Sequence, residues 1–242
     1  MGFSHAETIV WKEQRMDFAR VLSEATPLLF TGLKITIGIS LLSLLFGFVI
    51  GVFVCLMGIS KNPVLKGISG VYVWIIRGTP MLVQAFIVYF GVPQLIQTFL
   101  PAFRLDAFTA GTITLSLNAG AYLSEIFRGG IQAVPKGQTE AARSLGISGA
   151  KTMVKVVLPQ AFKISIPSIV NQFIITVKDT SILSVIGLAD VVNKAKVYVG
   201  KSYQFFATYI FVAVFYLVVI SILMLISKYV EKKFSYEGKS NS

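Results

Sequence analysis

The sequence predicts an all-α integral membrane protein, a helical bundle of about five transmembrane helices. Three observations carry that expectation. Of 242 residues, 55% are hydrophobic and only 14% charged, and the mean hydropathy is +0.75, outside the ordinary range of soluble domains. Charge-free apolar runs occupy residues 35–57 and 205–227, each long enough for the roughly 20 residues a bilayer crossing needs. The basic residues collect in the connections between apolar runs rather than within them.

In chain order, residues 1–27 are polar and mixed in charge, and read as an extracytoplasmic tail or interfacial segment. Glu7, Lys12, Glu13, Arg15 and Asp17 interrupt the apolar core that a signal peptide requires. The transmembrane domain is expected over residues 28–230. Its first span is residues 35–57, where Gly47 and Gly51 form a small-xxx-small face suited to close helix packing. Ser60-Lys-Asn-Pro63 reads as a turn, since Asn62 and Pro63 favour chain reversal. The second span runs over residues 67–92 and is interrupted by Arg77-Gly-Thr-Pro80. The third covers residues 107–126. A polar connection follows over residues 128–155. The fourth span starts near Pro159 and contains Pro167. The fifth is residues 205–227, and a basic tail over residues 231–242 closes the chain.

Formal net charge is +11. In a soluble chain this would direct attention to nucleic acid; here it reads as a loop bias, with no nucleic-acid partner. Five spans put the termini on opposite sides. Eleven Lys and Arg fall on the side of the 128–155 connection and seven on the other. The positive-inside bias therefore predicts an outside N-terminus and a cytoplasmic C-terminus. Cys55 is the only cysteine and His5 the only histidine. An internal disulfide is excluded, and a histidine-based triad or metal site is not expected.

The 128–155 connection is too long for a structureless loop, which rarely exceeds about 12–15 residues. Ala142, Leu145, Gly149 and Met153 recur at helical spacing and offer a narrow apolar face. Gly146 weakens a helix there. A short helix, a bend and a second helix leading into Leu158-Pro159 is the expected path. Gly146-Ile-Ser-Gly-Ala-Lys-Thr152 imitates a phosphate-binding loop. It fails because Ala150 and Leu145 stand where the motif needs glycine, and because no strand precedes it. The bland reading of the connection is an amphipathic helix on the membrane surface. The small residues Ala141, Ala142 and Gly146 favour a helix that docks into a cytoplasmic partner.

Glu140-Ala141-Ala142, three residues, Gly146, nine residues, Val156-Val-Leu158-Pro159 resembles the EAA signature of ABC-importer permeases, with Val156 in place of the family's Ile. Further stretches resemble the polar amino-acid branch of that family: Arg77-Gly-Thr-Pro80 with Gln84, Leu117-Asn118-Ala-Gly-Ala-Tyr122 with Glu125, Gly129-Gly130-Ile131, Gly137-Gln138 and Lys178-Asp-Thr-Ser181. The resemblance covers roughly residues 31–232. It implies a type I ABC importer-like fold with a cytoplasmic coupling helix, in a bacterial inner (plasma) membrane. It implies a second permease subunit, identical or not, two cytoplasmic ATPase subunits that hold ATP and Mg, and an extracytoplasmic solute-binding protein that delivers an amino acid. This chain then binds no cofactor and is no enzyme. Glu140, Ala141, Ala142, Gly146, Leu158 and Pro159 would couple it to the ATPase.

Polar residues within spans are expected to line the pathway. The candidates are Arg77, Thr79, Asn118, Tyr122, Glu125, Asn171, Gln172, Lys178, Asp179, Thr180 and Ser181. Arg77 lies about 15 Å into the second span, near the midplane, if the span begins at Gly67. Each also has a structural reading. Arg77 is equally suited to satisfying carbonyls freed at Thr79-Pro80, and Asn118 to joining helices by hydrogen bonds. Glu125 is placed to pair with Arg128. Lys178 and Asp179 read either as a self-satisfied pair or as a gate. Arg77 or Lys178 suits a substrate carboxylate, and Asp179 or Glu125 its ammonium. Two other classes compete: a stand-alone channel or secondary transporter for small polar solutes, and a membrane scaffold or sensor.

Overall fold

The computed structural model describes residues 17–234. The first sixteen residues of the expected N-terminal segment, His5 among them, and the last eight of the basic tail lie outside the described residues. Within them the chain is helical throughout, with eight helical stretches. These are α1 (Phe18–Gly58), α2 (Pro63–Gly78), α3 (Met81–Gln97), α4 (Ala107–Ala133), α5 (Lys136–Ser144), α6 (Gly149–Ile186), α7 (Val191–Ser202) and α8 (Phe205–Phe234).

Their starts follow ordinary capping chemistry. Asp17 accepts a hydrogen bond from the Arg20 amide at the head of α1. Asn62 caps α2 ahead of Pro63, whose missing N–H falls where a helix needs none. Asp106 accepts from the amides of Phe108 and Thr109 at α4, and Asp190 from those of Val192 and Asn193 at α7. The stretch read as a turn at Ser60–Pro63 is thus a loop and a helix cap.

The directions of the helices follow from who touches whom. α1 and α4 run parallel: a methyl group at Gly47 would lie 2.8 Å from Ala119 Cβ, and one at Gly51 would lie 2.8 Å from Leu123 Cβ. The small face read from the sequence is where these two helices meet. α6 returns against α4, with Ser165 Oγ 3.4 Å from the Ile126 carbonyl oxygen. α8 runs parallel to α1, since Ala207 packs with Val21, Val212 with Leu29, and Ile220 beside Ile37. Residues 17 and 234 therefore lie at opposite ends of the bundle.

Three helices, α1, α6 and α8, are long and apolar enough to cross a membrane alone, and the α2–α3 pair passes together as a fourth. α4 does not pass on hydropathy, although it has 27 residues. The reason is its place. Fourteen of those residues are buried among the other helices, so α4 is solvated by protein and needs no oily surface. Its hydroxyls are satisfied along its own backbone: Thr112, Thr114 and Ser116 donate to the carbonyls of Phe108, Ala110 and Thr112 at 2.6–2.8 Å.

Several boundaries differ from expectation. α1 begins at Phe18, so residues 18–27 belong to the first long helix rather than to a separate tail. The second span is a broken one: α2 and α3 meet at 103° across Thr79-Pro80. A residue preceding proline is steered out of the α region, and Thr79 is extended, at φ −120° and ψ 146°. α4 runs on to Ala133, absorbing the start of the expected polar connection. α6 begins at Gly149, not near Pro159; a π-helical turn over Met153–Val157 lets the amide of Leu158 bond to the Met153 carbonyl just before Pro159. α7 was not foreseen. Its Val191, Ala195, Tyr198 and Val199 are buried, and the first three pack on Val21, Ala25 and Leu29 of α1. The fit is close enough that a methyl at Gly32 would lie 2.8 Å from the Asp190 carbonyl carbon.

Candidate coupling loop and intramembrane polar site

The polar stretch between α4 and α6 forms the helix, bend and second helix that its sequence predicts. α5 has nine residues, and its termination is chemical. Gly146 adopts φ +76°, a left-handed conformation that is unstrained only for glycine. There its amide donates to the Arg143 carbonyl at 3.0 Å and the Ile147 amide to the Ala142 carbonyl at 3.1 Å, closing the helix in a Schellman-type turn. Gly146 is thus the stop of α5 and not a weak point inside a helix.

The narrow apolar face expected over Ala142, Leu145, Gly149 and Met153 does not exist as one face. Ala142 is buried against its own chain, whereas Leu145, the C-cap of α5, is 80% exposed, and the left-handed turn at Gly146 breaks the helical phase before Gly149 and Met153. Glu140, Ala141 and Gly146 are exposed. Nothing lies within 4 Å of a methyl placed on Gly146. The outward surface is therefore Glu140, Ala141, Leu145 and Gly146, rooted through Ala142. Leu145 is the residue that sequence reasoning misassigned; an apolar side chain in an otherwise polar nine-residue helix and its cap was the available signal. Leu158 is half-buried and Pro159 exposed at the entry to the α-helical part of α6.

Within the bundle, four polar side chains converge between α2 and α4. Glu125 accepts from Arg128 at 2.5 and 3.0 Å, the pairing the sequence suggested, and Arg77 Nη1 stands 3.7 Å from the same carboxylate. The Arg77 guanidinium lies 5.0 Å above the centre of the Tyr122 ring, a cation–π arrangement. Asn118, Tyr122 and Glu125 follow one another at helical spacing on α4, and Asn118 is buried. Two cations against one carboxylate leave this group with an excess positive charge.

Arg77 is not the residue that satisfies the backbone freed at the helix break. Gln84 does that: its Nε2 donates to the carbonyls of Ile76 at 2.7 Å and Thr79 at 3.1 Å, and to Thr79 Oγ1 at 2.9 Å. Thr79 Oγ1 in turn donates to the Ile75 carbonyl. Gln84 is a short amide already facing the break, and the longer Arg77 is left to reach Glu125. Arg77 also lies on the last turn of α2, about 21 Å from its start at Pro63, rather than about 15 Å into a straight span.

The fourth-span candidates fall elsewhere. Gln172 is buried and Asn171 exposed. Thr180 is buried, its hydroxyl donating to the Val177 carbonyl at 2.8 Å. Lys178 and Ser181 line a groove against Tyr216, Leu217 and Ile220 of α8, and Asp179 is half-buried. No ion pair joins Lys178 to Asp179 among the described residues. Arg77, Tyr122, Glu125 and Arg128 thus form one group, and the Lys178–Ser181 stretch is not in contact with it. Among the described residues no cluster of His, Cys, Asp and Glu is arranged to hold a metal ion.

Residues 47–236 match the family described as the binding-protein-dependent transport system inner membrane component. The arginine transport system permease protein ArtQ of Bacillus subtilis is 40% identical over 218 residues, 90% of this chain and 97% of that one. The L-cystine transport system permease protein TcyB of the same organism is 40% identical over 208 residues, 86% of each chain. The putative glutamine permease protein GlnP of Rickettsia bellii is 39% identical over 202 residues, 84% of this chain and 90% of that one. Among solved structures, an amino acid ABC transporter crystallised with histidines matches with a TM-score of 0.84 and 37% identity, over 90% of this chain and 99% of that one. The inward-facing methionine transporter MetNI shares the fold at a TM-score of 0.72 and 19% identity, over 86% of this chain and 97% of its own.

Proposed function

The chain belongs to the family of binding-protein-dependent transport system inner membrane components, and from that premise we propose how its parts divide the work of importing an amino acid. It is a multi-pass permease subunit of an ATP-driven ABC importer for amino acids, as its relatives for arginine, cystine and glutamine are named. A stand-alone channel or secondary transporter is the weaker reading, because the family is defined by partnership with a binding protein.

The observation that carries the mechanism is the shape of the α5 turn. A polar helix stands beyond the apolar bundle, exposes Glu140, Ala141, Leu145 and Gly146, and is rooted in a helix that continues unbroken to Ile186. In our reading this surface sits in a groove of a cytoplasmic ATPase subunit, one for each of two permeases. ATP and its magnesium act in those partners. Closure of the ATPases moves α5, and α6 carries the displacement through Leu158-Pro159 into the membrane. The two access states of the bundle are biased from both ends, as coupling requires. The N-terminus lies outside, the C-terminus in the cytoplasm of a bacterial cell, and an extracytoplasmic binding protein presents the substrate at the far end.

The substrate is a polar amino acid. Arg77, with Tyr122 beneath it, is suited to a carboxylate, and the excess positive charge around Glu125 favours the same group. Thr79, Asn118, Asn171, Gln172, Lys178, Asp179, Thr180 and Ser181 remain candidates for the path.

Glu140→Lys and Gly146→Asp test the docking. Both are expected to abolish co-purification with the ATPase and ATP-driven uptake while leaving the permease folded, and unchanged association in both overturns the reading. Uptake by Asn118→Leu and Asp179→Asn, measured with ATPase association intact, tests the path; normal transport removes either residue from it.

A further inference from the structure

At the end of the bundle that bears α5, helices α1, α4 and α6 leave a groove of about 270 Å³. Phe48, Val52 and Cys55 of α1, Phe127 of α4, and Leu158 and Phe162 of α6 form its walls. The three phenylalanines hold it open edge-to-face: the Phe48 ring is 5.2 Å from Phe127 and 6.4 Å from Phe162, at 76° and 82°. Neighbouring side chains do not collapse into the space because α4 and α6 are already in backbone contact below it. A methyl on Gly130 would lie 2.8 Å from the Ala161 carbonyl oxygen.

Water does not suit this space. Its only polar side chains are the Ser165 hydroxyl, which donates to the Ala161 carbonyl at 2.8 Å, and the weakly polar Cys55 thiol. Apolar cavities without polar partners stay dry. The rim is open within this chain: Phe162 is 49% exposed and Leu56 47%.

Basic residues close in sequence to the groove's walls narrow the occupant. Lys61 sits in the short connection that follows Cys55 and Gly58, and Lys155 lies one turn before Leu158; both are exposed. Neither is ion-paired among the described residues. Lys66, Lys151 and Lys163 add to the same end. Of the acids there, Glu125 is taken by Arg128 and Arg77, and Glu140 is turned outward on α5; Glu231 is near the end of α8. We propose that this groove binds one acyl chain of an anionic phospholipid whose phosphate is held by Lys61 and Lys155. The site bridges α1, α4 and the root of α6. Basic pockets between membrane helices are suited to anionic headgroups, and each methylene buried in such a wall adds to the retention.

The test uses the full-length chain in lipid nanodiscs. Trp11 and Trp74 are its two tryptophans. With both replaced by phenylalanine, Phe162→Trp places a single emitter on the rim. Phosphatidylglycerol brominated on its acyl chains is expected to quench it at a mole fraction about thirty-fold lower than brominated phosphatidylcholine, the preference of two lysines for an anionic headgroup. Lys61→Gln with Lys155→Gln is expected to bring the two lipids together. Equal quenching in the parent chain overturns the proposal, since it leaves only unselective lipid contact. Quenching by neither lipid also overturns it, since the groove is then covered by protein, a second copy included. Native mass spectrometry of the unaltered chain decides independently of those variants. Retention of phosphatidylglycerol over phosphatidylcholine through delipidation supports the site, and equal or no retention sinks it.

Discussion

α4 and α8 both cross the bundle from end to end, and they do so with opposite chemistry. α8 carries no charge from Phe205 to Ser227; in its most apolar eighteen-residue stretch only 11% is buried by the rest of the chain. α4 is rich in glycine, alanine, serine and threonine, carries Asn118, Glu125 and Arg128, and is surrounded on most sides. Hydropathy therefore reports what solvates a helix, lipid or protein, and not whether the helix spans. The ion pairs of Glu125 and the stacking of Arg77 on Tyr122 involve the helix that is enclosed more by protein, where low dielectric and fixed partners make each one count.

Substitutions at the two helices measure that contrast. The largest effect is expected from Gly130→Val on α4, where even a single methyl would sit 2.2 Å from Ser165 Oγ and 2.8 Å from the Ala161 carbonyl oxygen. Overpacking against backbone should cost about 3 kcal/mol or more, seen as loss of the monodisperse peak in detergent. A Gly130→Val protein of normal stability would mean that α4 and α6 are not in contact. Next is Gln84→Leu, which leaves the Ile76 and Thr79 carbonyls at the helix break without their donor. A loss of about 1–3 kcal/mol is expected, read as a lowered thermal midpoint that Gln84→Asn does not fully restore.

Asp190 gives a pH-dependent case of intermediate size. It is fully buried at the head of α7, and burial pushes its carboxyl up to about 6 from an ordinary 3.8. The folded chain then holds the proton more tightly than the unfolded chain. The stability this contributes is fully present below about pH 4 and is lost as pH rises toward 6, by about 1–3 kcal/mol. Asp190→Asn should flatten the thermal midpoint over that window while keeping a helix cap; an unchanged slope refutes the role of Asp190. The smallest effect is expected at Leu217→Ala on α8, a 66% exposed residue, within about 0.5 kcal/mol by the same thermal measurement.

The same contrast governs what could be read from residues alone. Charge-free runs marked the helices that meet lipid, and α1 and α8 emerged with only their ends misplaced. The Gly47–Gly51 face was legible because close packing leaves a compositional trace. The helix–bend–helix of the polar stretch between α4 and α6 was legible because Gly146 and the polar composition agree. What escaped was set by neighbours distant in sequence. α7 is amphipathic and short, and its apolar side is meaningful only beside Val21, Ala25 and Leu29. That Gln84, not Arg77, serves the broken helix depends on a 103° bend that a linear reading turns into a straight span. That Ala142 and Leu145 do not share a face with Gly149 and Met153 follows from one left-handed glycine between them.

α4 has a consequence for how the protein is made. A helix too polar to settle in lipid by itself gains residence only when companions offer it another solvent. α1 is synthesised first and runs parallel to α4, and its Gly47 and Gly51 shape the track along which Ala119 and Leu123 come to lie. The chain's earlier segment thus offers the later one the surface on which it packs. Without α1 in place, α4 would lack the surface that encloses it.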